Sequence, residues 1–241
     1  MISKNRIRFI KSLEQKKIRQ QEGLFMIEGE KMVHEAINWI PDYIESIYYT
    51  SDFIFKNPSN SVLCEEISLN DLKNISGFKT PNKAIAICKF IPPKTHISPY
   101  SIVLDGVQDP GNLGTILRMA DWFGISHVIC SKDTVDCYNP KVLQATMGAI
   151  FRVSISYVEL EDFFTKNTKP VYGALLEGEN LFNTNFTNEG IILLGNEGNG
   201  IRQINKKHIN YPITIPKFGE AESLNVATAG AIILGSLFRG I

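Results

Sequence analysis

The sequence predicts an α/β protein whose mostly parallel sheet carries ligand-binding loops at the ends of its strands. Two stretches predict this class. Residues 102–124 pass from an apolar strand, through a polar turn, into a helix with apolar residues at three- and four-residue steps. Residues 191–194 are apolar and partly β-branched, which is typical of a strand covered on both faces, and a glycine-rich loop follows them.

The composition is that of a globular protein without a strong net charge. The chain has 241 residues, which suggests one or two domains, and 44% of them are hydrophobic, enough for a proper core. The 25 Lys and Arg residues balance 25 Asp and Glu residues, so the formal net charge is zero. This balance argues against a strongly basic, non-specific nucleic-acid binder and leaves room for a local basic patch.

The cysteines, histidines and apolar segments exclude several other classes. The four cysteines form no CxxC pair and the four histidines show no ligand spacing with them, so we expect no metal site and the reduced thiols of a cytoplasmic protein. Charges interrupt every early apolar run, which argues against a signal peptide. The most apolar segment, Val226–Phe238, is shorter than the about 20 residues that cross a bilayer, so we expect no membrane partner.

Residues 1–92 predict a small α/β domain. An amphipathic, basic helix is expected from Lys4 to Gln20, and its cations either form a solvated face or contact RNA phosphates. The further predicted elements are a strand at Leu24–Ile27, a helix at Glu30–Trp39, strands at Ile44–Tyr49 and Ser61–Glu65, a short helix opening at Ser68 and a strand at Ala84–Phe90. Nothing in this domain is typical of catalysis, so substrate contact is its expected role. The proline-rich stretch Ile91–Pro99 is the expected linker.

Residues 100–241 predict the second, larger domain. After the turn at Asp109–Asn112, the first helix is expected to begin at Asn112. The further predicted elements are strands at His127–Ser131, Phe151–Ser156, Val171–Leu175, Ile191–Leu194 and Tyr211–Ile215, and helices at Lys141–Gly148, Glu159–Lys166 and Gln203–Lys207. The last helix opens at Ser223–Asn225, and its small residues Ala227, Gly230 and Ala231 predict close packing in a homodimer.

The loop Gly195–Gly200 carries three glycines, which let the backbone approach a ligand closely. Its spacing, GxxGxG, is the reverse of the dinucleotide-binding fingerprint, and no Lys-Ser or Lys-Thr pair follows it. Neither a Rossmann site nor a P-loop is therefore predicted, and a loop without a function is the alternative interpretation.

Three strand-to-loop corners of the second domain together resemble the SpoU family of RNA ribose 2′-O-methyltransferases. The matching residues are Asn112, Gly114 and Arg118 in the first motif, Gly195–Gly200 in the second, and Ile215, Pro216, Gly219 and Ser223–Val226 in the third. The stretches 138–141 and 147–152 also fit, and Gly23–Gly29 resembles the substrate-binding domain, similar to a ribosomal protein, that often precedes this family. One departure is Lys217, where an apolar residue is common.

The resemblance implies a trefoil-knotted domain that binds S-adenosylmethionine and transfers its methyl group to a ribose 2′-hydroxyl of RNA. It implies a homodimer formed through helices of the knot region, and a ribosomal or transfer RNA substrate, with ribosomal RNA favoured. The implied cofactor-binding residues are Leu194, Gly195, Asn196, Gly198, Ile215, Pro216, Ser223, Leu224 and Asn225. The implied catalytic residues, without a metal, are Arg118, Asn112, Glu197, Ser223 and Asn225.

Plainer interpretations stand beside these roles. Arg118 is alternatively a surface arginine, Asn112 the former of an Asx turn, Glu197 a structural carboxylate and Ser223 a helix cap. For the whole chain, the alternatives are a non-catalytic RNA-binding module of the same fold and a different nucleotide-binding α/β enzyme. The complete set of motif residues argues against the first, and the lack of Rossmann or P-loop spacing argues against the second.

Overall fold

The computed structural model describes residues 2–54, 62–93 and 98–239. These residues form two compact units, each with its own sheet and its own hydrophobic core. Residues 94–97 of the expected linker, and residue 61 at the start of one expected strand, lie outside the described ranges. Within those ranges, no helix is both long enough and apolar enough to cross a bilayer.

Neither unit is one continuous stretch of the chain. The first unit comprises the residues up to Pro92 and, in addition, Tyr138–Arg152. The second unit comprises the stretches from Pro93 to Cys137 and from Val153 onward. The sequence predicts a boundary between residues 92 and 100, and it gives no sign that a later segment joins the first unit.

The first unit is built on a four-stranded mixed sheet. Its strands are β1 (Leu24–Glu28), β2 (Ile44–Tyr49), β3 (Leu63–Glu66) and β4 (Ala84–Lys89). They lie in the order β1–β4–β2–β3, with β4 antiparallel to β1 and β2, and β3 parallel to β2. Its helices before residue 92 are α1 (Lys4–Ser12), α2 (Lys16–Glu22), α3 (Glu30–Trp39) and α4 (Leu69–Ile75). The bounds of β2 and α3 are those predicted, and the hydroxyl of Ser68 caps α4 as expected.

The prediction of a single helix from Lys4 to Gln20 is wrong, because the chain turns between α1 and α2. The side chain of Arg19 returns from α2 and donates to the carbonyl oxygens of Leu13 and Glu14, at 2.8 and 2.7 Å. Both carbonyls lie just past the end of α1, where a helix leaves backbone acceptors without an internal partner. A buried arginine thus stabilises the turn, while the buried side chain of Leu13 anchors it in the core.

The segment that the first unit takes from the later chain is held by aromatic and ionic contacts. The ring of Tyr138 stacks on the rings of Phe25 and Phe90, with its centroid 4.4 Å from each, and those two rings are 6.4 Å apart. At the other end of the segment, Arg152 forms an ion pair with Glu35. These contacts join residues that are far apart along the chain, up to 117 positions for Glu35 and Arg152, so the sequence alone does not predict them.

The second unit is built on a six-stranded parallel sheet. Its strands are β5 (Tyr100–Asp105), β6 (His127–Ser131), β7 (Ser154–Val158), β8 (Val171–Asn180), β9 (Gly190–Gly195) and β10 (Tyr211–Thr214). The order is β10–β8–β9–β5–β6–β7, and all five pairings are parallel, which confirms the predicted sheet. The later helices are α5 (Pro110–Trp122), α6 (Pro140–Thr146, in the segment that joins the first unit), α7 (Leu160–Lys166), α8 (Gln203–Lys206) and α9 (Val226–Leu237). The trefoil knot stays a prediction.

Asp109 and Asn225 cap the helices that bear the first and third motifs. Helix α5 begins at Pro110, and Asp109 caps it by accepting the N–H of Asn112 at 2.8 Å. Helix α9 is capped by Asn225 and not by Ser223. The interpretations of Asn112 as an Asx-turn former and of Ser223 as a cap are therefore wrong, and both side chains are left for other contacts.

Two of the three small residues of α9 that predicted close packing, Ala227 and Gly230, lie inside the second unit. A Cβ atom at Gly230 would lie 2.8 Å from Cε of Met119 on α5 and 3.0 Å from Cδ1 of Leu194 on β9. Ala227 and Leu234 of the same helix are also buried within the chain. Ala231, the third residue of that prediction, is exposed. The packing of Ala227 and Gly230 thus serves the unit itself, and the homodimer stays a prediction.

Candidate active site

The loop that follows β9, Gly195–Gly200, is closed on itself. The backbone N–H of Asn196 donates to the carbonyl of Gly200 at 3.0 Å, and the N–H of Gly200 donates back at 2.9 Å. A Cβ atom at Gly195 would lie 2.2 Å from the carbonyl carbon of Gly200 and 2.3 Å from the nitrogen of Ile201. Because both are backbone atoms at the end of the loop, the closed loop itself requires a glycine at position 195, before any ligand is considered.

The carboxylate of Asp105 anchors the end of this loop. Asp105 is the last residue of β5, its side chain is fully buried, and its backbone pairs in register with Gly195. Its two oxygens accept the backbone N–H of Arg202 at 2.8 Å, Nε of Arg202 at 2.5 Å and Nδ2 of Asn205 at 2.8 Å. The side-chain amide of Asn196 adds a bond to the carbonyl of Gly106 at 2.8 Å.

Arg202 is shared between two carboxylates, and both favour its charged form. Its guanidinium contacts the buried Asp105 and the half-exposed Asp133, the latter at 3.2 Å. Burial alone lowers the pKa of Arg202, but the hydrogen bonds and charges of the two carboxylates outweigh it and raise the pKa. A hydrogen bond from Ser131 lowers the pKa of Asp133, despite partial burial and with help from Arg202. Arg202 and Asp133 therefore both stay ionised at neutral pH.

Sequence reasoning did not single out Asp105 or Arg202 as functional residues. The available signal was the position of Asp105 directly after the apolar run Ile102–Leu104, since an aspartate is rarely buried unless it is paired. The partner could not be named, because it lies 97 positions further along the chain.

A chain of side-chain hydrogen bonds joins the three sequence motifs. Nδ2 of Asn112 donates to Oε1 of Glu197 at 2.8 Å, and Nδ2 of Asn225 donates to Oδ1 of Asn112 at 2.8 Å. Oδ1 of Asn225 in turn accepts the N–H groups of Ala227 and Thr228 at the start of α9. Three of the five residues expected to be catalytic thus meet, and all three are at least partly open to solvent.

Arg118, the fourth, lies apart from this polar chain. It is six residues after Asn112, so its side chain leaves the helix about 120° away from that of Asn112. It is exposed on the face of α5 that also carries Thr115 and Trp122, whose side chain is 85% exposed. Its guanidinium forms no hydrogen bond or ion pair with any residue in the described part of the chain.

The other expected site residues differ in what they offer a ligand. The side chain of Leu194 is buried against α9, so only its backbone is available. Ile215 and Pro216 are half-buried, whereas Gly198, Ser223 and Leu224 are exposed, Leu224 by 49%. The hydroxyl of Ser223 has no hydrogen-bond partner among the described residues. The arrangement combines apolar surface, backbone groups and amide side chains, and no cluster of His, Cys, Asp and Glu within the described ranges is suited to a metal ion.

A parallel sheet with polar loops beyond the ends of neighbouring strands defines a ligand-binding α/β protein. Comparison with known proteins narrows this class. Residues 99–235 match the model of the SpoU rRNA Methylase family, and residues 4–86 match the MRM3-like substrate binding domain. The first match covers more than half of the chain, so the chain belongs to the SpoU rRNA methylase family.

Individual relatives span nearly the whole chain. The 23S rRNA (guanosine(2553)-2′-O)-methyltransferase RlmP of Bacillus subtilis is 31% identical over 232 residues, which cover 93% of this chain and 92% of the relative. A TrmH-family structure from Porphyromonas gingivalis has a TM-score of 0.90 and 38% identity, with 99% of each chain covered. An AdoMet-bound rRNA methyltransferase from Sinorhizobium meliloti has a TM-score of 0.83 and 26% identity over 99% of this chain and 96% of that one.

The two glycines of the loop give a matched test of its geometry. We expect Gly195→Ala to lower the free energy of unfolding by about 1–3 kcal/mol, because the new Cβ overlaps backbone atoms that have no room to move apart. Gly198→Ala should change it by less than about 0.5 kcal/mol, since the nearest atom to its Cβ would be Oδ1 of Asn196 at 3.6 Å. Urea unfolding of both variants measures the difference, and equal losses would contradict the closed-loop geometry.

Proposed function

We propose that this chain transfers a methyl group from S-adenosylmethionine to a ribose 2′-hydroxyl of RNA, with ribosomal RNA favoured over transfer RNA. The observation that carries the proposal is the hydrogen-bonded chain Glu197–Asn112–Asn225, which brings all three family motifs to one place. Relatives named as 23S rRNA 2′-O-methyltransferases support the choice of substrate class.

The residues around the loop fit S-adenosylmethionine. Leu224 and Ile215 offer partly exposed apolar surface for an adenosine, and the backbone beside Leu194 and Gly195 offers polar groups without side chains in the way. The exposed hydroxyl of Ser223 has no partner among the described residues and is available to a polar group of cofactor or substrate. When bound, the cofactor supplies an activated methyl group on a sulfonium.

The protein must then place the ribose hydroxyl in line and let its proton leave. Reacting atoms held about 3–3.5 Å apart in the right orientation supply much of the rate. An alcohol is a poor nucleophile near neutral pH, so removing its proton or stabilising its charge accelerates the step. We assign this task to Arg118, while Asn112, Glu197 and Asn225 order the loops around the reacting groups.

Arg118 can act in two ways, and both concern the chemical step. In one, an RNA phosphate briefly takes the proton of Arg118 in a desolvated site, and the neutral guanidine then takes the proton of the hydroxyl. In the other, Arg118 stays charged, since a guanidinium is effectively always protonated, and stabilises the developing alkoxide, while an RNA phosphate or water accepts the hydroxyl proton.

We further propose that the chain acts as a homodimer with a site shared between copies. Within one chain, Arg118 lies about 120° around α5 from Asn112 and one helical turn before Trp122, and both Arg118 and Trp122 are exposed. An exposed tryptophan next to an unpaired arginine is typical of a protein interface, where both residue types are enriched. A second copy seated on this face would bring Arg118 to the loops of its partner.

We propose that the first unit contacts RNA through a cationic stripe, Lys4, Arg8 and Lys11. These residues are exposed at steps of four and three along α1, and none has an ion-pair partner among the described residues. Arg6 and Arg19 of the same basic run do not belong to it. Arg6 binds Glu45 at 2.9 Å, and Arg19 is buried in the turn.

We also propose a cytoplasmic location, on the basis of four free cysteines, three of them buried.

A matched pair of leucine and isoleucine variants tests the cofactor site. Leu224→Ala should weaken binding of S-adenosylmethionine about tenfold, because about half of the apolar burial of one leucine side chain is lost. Ile204→Ala on α8 is the control, since Ile204 is equally exposed (50%) in the same unit. Isothermal titration calorimetry measures the affinity of each variant for S-adenosylmethionine. If both variants bind it as tightly as the parent chain, Leu224 does not belong to the site.

Neutralising the stripe tests the RNA surface in the intact chain. A chain with Lys4, Arg8 and Lys11 all changed to Gln should bind RNA more weakly. The negative slope of log K against log salt should become less steep by about 2–3, because three phosphate contacts are lost. The control changes Lys31, Lys73 and Lys79 to Gln, three exposed lysines of the same unit that lie outside α1. An unchanged slope in the first variant would refute this surface.

Truncation of the chain at Tyr100 is a poorer test of the first unit, because Tyr138 would lose its stacking partners Phe25 and Phe90.

The catalytic assignment is tested by Arg118→Ala. The variant should keep cofactor affinity but lose at least about a hundredfold in single-turnover methyl transfer, and Arg118→Lys should restore little, because an ammonium lacks the planar fork. Mixing Arg118→Ala chains with Glu197→Gln chains should recover activity, since one site of each mixed dimer then carries both native residues. No recovery would place the whole site in one chain, and a near-normal rate for Arg118→Ala would discard its role.

A further inference from the structure

One residue of the neighbouring strand, Asp105, holds both ends of the loop Gly195–Gly200. Its first residue pairs through the backbone with Asp105, and the side chain of Asp105 binds Arg202, two residues after the loop ends. The arginine uses both its backbone N–H and its Nε for this contact, so its main chain and its side chain are held together. The loop therefore has little freedom at either end.

Glu197 is the member of this loop that reaches the first motif. It accepts a hydrogen bond from Asn112 at 2.8 Å and a longer one from Asn196 at 3.3 Å. Asn196 is itself tied to the carbonyl of Gly106, the residue that follows Asp105. The position of the Glu197 carboxylate thus depends on the same strand end that binds Arg202.

The outer half of the arginine has a second partner. Its Nη atoms lie 3.4 and 3.2 Å from the carboxylate oxygens of Asp133, which follows β6. Asp133 is half exposed, whereas Asp105 is fully buried. One guanidinium therefore bridges the ends of β5 and β6 to the loop that follows β9, and no other cation of the described residues pairs with Asp105.

We infer that Arg202, held by Asp105 and Asp133, is a positioning residue for methyl transfer: it sets the loop so that Glu197 meets Asn112. This inference rests on the proposed function, because the reaction gives one of its readouts. A misplacement of about 1 Å in such a support is enough to lower a rate by about a hundredfold. The arginine acts through Glu197 and touches no reacting atom.

The experiment compares Arg202→Lys with Lys207→Gln. The lysine keeps the positive charge and the backbone N–H but loses Nε and the fork. Lys207 is the matched control, because its ion pair with Glu161 is exposed, lies in the same unit and has no contact with the loop. In single-turnover methyl transfer at saturating RNA and cofactor, we expect Arg202→Lys to lose about tenfold or more and Lys207→Gln to lose less than about twofold.

A double-variant cycle separates positioning from a general loss of structure. If Arg202 acts through Glu197, then Arg202→Lys should cost less than about threefold in a Glu197→Gln background, because that carboxylate is no longer there to be misplaced. The same loss in both backgrounds would overturn the inference. Thermal unfolding of each variant checks that rates are compared between folded chains.

Amide hydrogen exchange tests the inference without RNA or turnover. Exchange at Asn196 and Gly200 should quicken about tenfold or more in Arg202→Lys and stay unchanged in Lys207→Gln, because the reciprocal bonds of the loop open more often. Unchanged protection in Arg202→Lys would overturn the inference. If that variant does not fold, Asp133→Asn, which leaves the buried pair intact, should still quicken exchange at Gly200, and no change there would equally overturn it. If the parent chain transfers no methyl group, the proposed function is refuted. The exchange measurement still tests whether Arg202 holds the loop, because it does not depend on activity.

Discussion

The buried carboxylate of Asp105 is the interaction on which the site depends. A carboxylate removed from water costs several kcal/mol unless a cation and hydrogen-bond donors compensate it. Here the compensation comes from Arg202 and Asn205, so the buried end of β5 and the closed loop after β9 stabilise each other. The closed loop leaves no room for a Cβ at Gly195, and it carries Glu197 to Asn112. The motif residues are thus placed by a contact between residues outside the motifs.

Charge is used differently in the two units. The formal net charge of zero conceals a local separation, because cations along α1 are exposed while acidic and basic residues of the second unit neutralise each other around the loop. Counting charges in the basic run overestimates its surface, since Arg6 and Arg19 are bound within the first unit. What remains is a short stripe on one face of a helix, and local stripes of this kind are sufficient to contact phosphates.

Elements with local signals were predictable from the sequence, and contacts between distant residues were not. The bounds of β2, α3 and β6 follow from apolar patterns and punctuation within a few residues, and the structure has them as predicted. The break between α1 and α2 was missed because it depends on the returning side chain of Arg19. Resemblance to a family named Asn112, Glu197 and Asn225, but not the bonds between them, which span 85 and 113 positions. The periodicity of apolar residues does not show which distant side chains meet. The contact between Asp105 and Arg202, 97 positions apart, could not be predicted for the same reason.

The central claim is that the polar chain and its neighbouring loops serve methyl transfer to a ribose hydroxyl. The most direct measurement incubates the chain with ribosomal RNA and S-adenosylmethionine labelled on its methyl group, and then locates the label after digestion. The claim predicts label in 2′-O-methylated nucleosides, recognised because the adjoining phosphodiester resists alkali once the hydroxyl is blocked, and its loss in Arg118→Ala. Label on a base, or no transfer to ribosomal or transfer RNA by the intact chain, would contradict it.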